Sequence, residues 1–119
     1  MDLTTTTHKM LIDGKWVESC AGEWIDVENP ANKTVFAKVP RGRAADVDLA
    51  VAAAKRAFRG WSRMPAGERG RMLYAAADEL EKRQEDLARL LSAEIGNALR
   101  TQSRGEAGAV PQIFRYVAG

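Results

Sequence analysis

At Arg41-Gly42 the spacing of apolar residues changes from about two to about 3.6, and this switch divides what the chain can fold into. Beyond it, Val47, Val51, Ala54, Phe58 and Trp61 advance by four, three, four and three positions. That is one apolar stripe on a helix of about five turns. Asp46 and Asp48 lie in its first turns and Lys55, Arg56 and Arg59 toward its end, the order the helix dipole favours. Arg43 falls at the expected N-cap, where Ser, Thr, Asp or Asn would add about 1 kcal/mol. Pro65 opens a second helix with the apolar face Met72, Leu73, Ala76, Ala77 and Leu80. Leu87, Leu90, Leu91 and Ile95 mark a third, closed by Gly96-Asn97. Propensity does not decide whether a break separates these two between Lys82 and Glu85. Leu99 to Gly119 is helical in composition, with Pro111 expected to kink or restart the helix because its ring clashes with the preceding turn.

Before the switch the pattern is that of strands. Asp13-Gly14 sits between Met10-Leu11-Ile12 and Trp16-Val17, a strong hairpin signal. A turn at Cys20-Ala21-Gly22 leads to a strand over 24–28, and Asn29-Pro30-Ala31-Asn32 turns the chain into a further strand over 34–39 that Pro40 stops. The expected fold class is therefore α+β: a small antiparallel β meander followed by three to four amphipathic helices. Residues 1–9 form a flexible tail, 10–40 antiparallel strands and 41–119 a helical segment.

Composition narrows the function classes. At 119 residues, with 45% hydrophobic and 29% charged side chains, the chain has one globular domain's worth of sequence. A net charge of +2 is too small to imply nucleic acid or an anionic membrane. Thirteen Lys and Arg against nine Asp and Glu between Arg41 and Arg104 do not change this, because acids interrupt the bases around the helices. The single Cys permits neither an intrachain disulfide nor a Cys-rich zinc site. No apolar run reaches the roughly 20 residues of a membrane span, and the first residues lack a signal-peptide pattern. The expectation is a cytoplasmic chain without nucleic-acid or membrane partners.

No residue qualifies as catalytic, cofactor-binding or metal-ligating. Cys20, in a predicted turn with no His nearby in sequence, lacks the base or helix N-terminus that lowers a nucleophile's pKa. His8, the single His, lies in the expected tail, where nothing holds a general base or ligand in place. Asp78, Glu79, Glu81, Glu85 and Asp86 are interleaved with Lys82, Arg83 and Arg89, giving Glu79–Arg83 and Glu85–Arg89 pairs on a solvated face. Gly60, Gly67 and Gly70 are separated by helix formers, so they make no phosphate cradle between a strand and a helix.

The order of signals nevertheless resembles the start of the NAD(P)-dependent aldehyde dehydrogenase superfamily. The similarity is carried by Leu11-Ile12-Asp13-Gly14-Lys15-Trp16-Val17, Glu28-Asn29-Pro30-Ala31 and Ala37-Lys38-Val39-Pro40. It continues through Asp46-Val47-Asp48, the Ala50–Ala54 run, Ala57-Phe58, Trp61, Glu68-Arg69, Glu94-Ile95-Gly96-Asn97 and the closing Phe114-Arg115-Tyr116-Val117-Ala118-Gly119. Departures are Arg43 in place of a capping Ser or Thr, Ile95 and Asn97 around Gly96, and Pro111 within a normally continuous helix.

This resemblance implies an N-terminal segment of such an enzyme, about its first quarter. The family oxidises an aldehyde to a carboxylic acid or acyl thioester with NAD or NADP, and its catalytic Cys, Glu and Asn and its cofactor-binding residues lie beyond the resembling part. Catalytic, cofactor-binding and metal residues in this chain are therefore none, and Cys20 does not inherit the nucleophile's role. The resemblance also implies an incomplete part of a cofactor-binding domain, inactive and without cofactor by itself. Its apolar faces would be covered by a complementary downstream fragment or by self-association. The alternative, from a different class, is a free-standing helical protein-interaction module.

Overall fold

Asp13 and Gly14 both have positive φ, 54° and 72°, the pairing that a tight mirror-image hairpin turn requires. In the computed structural model, which describes residues 6–119, this turn joins β2 (Met10–Ile12) to β3 (Lys15–Val17). The register is Met10↔Val17, Leu11↔Trp16 and Ile12↔Lys15. A second hairpin joins β4 (Trp24–Asn29) to β5 (Thr34–Pro40). Its turn is built by side chains: Asn29 Oδ1 accepts from the Ala31 N–H at 2.9 Å, and Asn32 Oδ1 from the Thr34 N–H at 3.1 Å. The left-handed residue is Lys33 (φ 62°), while both Asn side chains hydrogen-bond nearby backbone.

Between Val27 and Glu28 the register slips, with Val27 opposite Ala37 and Glu28 opposite Val35. Phe36 is the extra residue of this bulge. Strict alternation would turn Phe36 and Ala37 to opposite faces, yet both are buried.

The α+β composition and four helices stand as expected, but the strands are not one antiparallel meander. They form a three-stranded sheet, in the order β1 (Thr6–Thr7), β5, β4, and a separate two-stranded sheet, β2-β3. β1 (Thr6–Thr7) pairs in parallel with β5, and the His8 N–H donates to the Lys38 carbonyl at 2.9 Å. The tail expected over 1–9 lies partly outside the described residues; within them, Thr6 to His8 are held by β5. The added pairing is long-range, which local alternation cannot signal.

The backbone divides into two compact units, one ending at Ser62 and one running from Arg63 to Gly119. The first is completed by α1 (Ala44–Arg63), in which only Asp46 and Ala53 are buried. The predicted stripe of Val47, Val51, Phe58 and Trp61 is not covered: these side chains are 40–64% exposed.

In the second unit, α2 (Ala66–Lys82) and α3 (Gln84–Ile95) are separated at Arg83 (φ −107°, ψ 13°). α3 ends on left-handed Gly96 (φ 83°), whose N–H donates to the Ser92 carbonyl at 3.1 Å. A π-helical turn, Leu99–Ser103, precedes α4 (Arg104–Ala118). α4 runs through buried Pro111 without the expected restart, and the irregular turn lies before the helix, at 99–103. α4 packs on α2 and α3 through small residues, with Ala77, Ala88 and Ala107 buried and Gly70 against the Ala118 carbonyl.

Candidate functional site

The most fully built polar cluster centres on Asp46, at the N3 position of α1. Its Oδ2 accepts the Ser19 hydroxyl at 2.7 Å and the Arg43 N–H at 2.8 Å, while Oδ1 accepts the Cys20 N–H at 2.8 Å. Arg43 is thus the N-cap without a capping side chain, and Asp46 supplies what it lacks by satisfying its backbone donor from within the helix. Asp46 is 3% exposed. Hydrogen bonds from the Arg43 and Cys20 backbone, the Cys20 thiol and the Ser19 hydroxyl hold its pKa far below the usual range, and desolvation only partly opposes them. The sequence displayed Asp46 only as a dipole-matched acid. Its position three after the N-cap was the available signal; Ser19, 27 residues earlier, was not.

Cys20 sits on the turn that closes with the Gly22 N–H on the Ser19 carbonyl at 2.9 Å. Its side chain is exposed, and the Asp46 carboxylate, accepting its proton, pushes the thiol pKa up, with desolvation adding to the effect. A thiol beside an unprotonated carboxylate is poorly suited to nucleophilic attack. Cys20 and Asp46 face a cavity of about 360 Å³ also lined by Ile12, Val17, Leu49 and Arg56. His8 is not brought to it; it lines a separate depression with Thr7, Lys9 and Trp16.

The acidic cluster of the second unit is a set of ion pairs. Glu85 pairs with Arg89 as the spacing predicts, at 3.0 Å, and also takes Arg104 through two bonds of 2.9 and 2.8 Å. Arg104 chiefly accounts for the lowering of the Glu85 pKa. Glu79 pairs with Lys82 at 2.6 Å, three residues on, where the sequence suggested Arg83. Arg115 of α4 reaches Asp78 at 2.8 Å and Glu81 at 2.7 Å on α2. Among the described residues, no three His, Cys, Asp or Glu side chains gather as metal ligands.

Gly60, Gly67 and Gly70 all lie inside helices. The junction from β5 to α1 holds Gly42 as its one glycine, and the Asp46 carboxylate accepts the N-cap N–H of Arg43 there.

Comparison with known proteins gives this scaffold its class. The aldehyde dehydrogenase family profile matches residues 16–119. Malonate-semialdehyde dehydrogenase 1 of Shouchella clausii is 41% identical over 111 residues, covering 93% of this chain and 22% of that protein. PnpE in complex with nicotinamide adenine dinucleotide superposes with a TM-score of 0.90 at 44% identity, over 94% of this chain and 23% of PnpE. The NAD-dependent aldehyde dehydrogenase of Sinorhizobium meliloti gives 0.89 at 40% identity, over 95% and 23%. The chain belongs to the aldehyde dehydrogenase family, and it spans less than a quarter of the length of these relatives.

Proposed function

We propose that this chain serves as the N-terminal structural segment of a cytoplasmic aldehyde dehydrogenase, whose reaction is oxidation of an aldehyde to a carboxylic acid with NAD or NADP. In that role it supplies scaffold for the cofactor-binding domain and no reacting group. The observation that carries this reading is the family match over 104 residues that span under a quarter of the relatives. The chemistry of the one thiol agrees with it, since a carboxylate keeps the Cys20 proton in place where a nucleophile needs a base to remove it. Activity then depends on polypeptide equivalent to the remaining length of the relatives.

The test is calorimetric titration of NAD and of NADP into the purified chain, with an aldehyde-oxidation assay followed by cofactor absorbance. No saturable heat and no turnover are expected. Saturable binding or aldehyde oxidation by the chain alone would overturn the proposal.

A further inference from the structure

The cations in the second half of α1 are used by neither the Asp46 cluster nor the apolar stripe. From Leu49 to Arg63 the helix carries Lys55, Arg56, Arg59 and Arg63 and no acid. Arg59 stands four residues after Lys55 and three after Arg56, so the three side chains are neighbours on one patch of helix surface. Together they line an open depression of about 340 Å³. Arg56 is held from the hairpin turn, its Nη2 donating to Asp13 Oδ2 at 3.0 Å, which occupies one of five guanidinium N–H donors. Asp13 is not among the residues that line the depression. Lys55 and Arg59 have no ion-pair partner among the described residues, Asp48 included, which lies about 10 Å before Lys55 along the helix axis. We propose that Lys55, Arg56 and Arg59 form an anion site for a phosphate group, carried by inorganic phosphate or by a small phosphomonoester.

The helix dipole does not account for this cluster. Its effect fades within the last turn, and Lys55 and Arg56 stand about two turns before the end of α1 at Arg63. Three like charges around one depression repel one another, and a dianion seated among them relieves that repulsion. Each guanidinium offers parallel N–H donors and the ammonium a compact charge, a set that suits an oxygen-rich dianion better than a halide. The site lies within the first unit and does not rest on the dehydrogenase reading. With half-filling near about 1 mM phosphate, it stays empty at the micromolar nucleotide of a cofactor titration.

The experiment titrates sodium phosphate into the whole chain at low, constant ionic strength and mildly alkaline pH, following backbone and arginine side-chain signals by heteronuclear NMR. Saturable shifts centred on Lys55, Arg56 and Arg59 are expected. Lys55→Gln/Arg59→Gln should weaken binding by about tenfold or more, whereas Lys55→Arg should retain it and Arg71→Gln, in the second unit, should leave it unchanged. Glycerol phosphate separates the two sources: tighter binding than inorganic phosphate assigns the site to a phosphomonoester, and binding no tighter assigns it to the free ion. Equal shifts with acetate or chloride at the same concentrations would mean general charge screening and overturn the inference. So would a double variant that binds as the parent does. An unfolded chain that phosphate neither binds nor orders overturns it as well, because the site requires Arg56 seated against the Asp13 turn.

Discussion

The Ser19 hydroxyl donates a 2.7 Å hydrogen bond to the Asp46 carboxylate, fastening the turn after β3 to the first turn of α1. The same carboxylate holds the N-cap N–H of Arg43 and the backbone N–H of Cys20, so one side chain closes a helix end and a distant turn together.

Asp46→Asn is expected to destabilise the first unit, because the amide keeps the shape but weakens three charge-assisted hydrogen bonds. The pH dependence has a definite sign. The folded-state pKa of Asp46 lies below its unfolded value, so its stabilisation is full above about pH 4 and fades as pH falls below that. Acid titration of the circular-dichroism signal should show a steeper loss below about pH 4 for the parent than for the Asn variant. Parallel curves would contradict this.

Cys20 should be alkylated slowly. With its pKa raised by Asp46, little thiolate is present at neutral pH, and iodoacetamide labelling should accelerate only well into the alkaline range. Asp46→Asn is expected to shift that rate profile to lower pH. Cys20→Ser should change stability by no more than about 0.5 kcal/mol, as exposed substitutions usually do. Rapid stoichiometric labelling at pH 6 would contradict the account of the thiol.

Two glycines in α2 should respond oppositely to alanine. A Cβ on Gly70 would stand 2.7 Å from the Ala118 carbonyl oxygen, so Gly70→Ala must displace α4 and is expected to cost about 1–3 kcal/mol. Nothing lies within 4 Å of the equivalent position on Gly67, so Gly67→Ala should stabilise by up to about 1 kcal/mol. Urea denaturation of both variants checks the contrast, and equal effects would refute it.

Ser103 is fully buried, and its hydroxyl has no hydrogen-bond partner among the described residues. Leaving such a group unsatisfied costs about 1–3 kcal/mol, so Ser103→Ala should stabilise the second unit, by about 1 kcal/mol. A lower denaturation midpoint in the alanine variant would mean that the hydroxyl is engaged.

What was legible in the sequence is what neighbouring residues settle among themselves. Asp13-Gly14 forms its turn because few residues accept positive φ, and Gly96 ends α3 for the same reason. The breaks at Pro65 and the helical periods of α2 and α3 are equally local. Family membership was also readable, since it rests on the order of such short motifs along the chain. Only the tertiary structure decided that Thr6 and Thr7 pair with β5, that Phe36 bulges so that it and Ala37 are both buried, and that Ser19 and Cys20 share the Asp46 carboxylate. It also decided the fate of the α1 stripe. Periodicity established that Val47, Val51, Phe58 and Trp61 share a side of the helix, and not that this side would be left exposed. The physical reason is common to all of these: a helical period or a turn is set by backbone geometry within a few residues, whereas a strand partner, a carboxylate's donors and the cover on an apolar face depend on groups brought close only once the chain has folded.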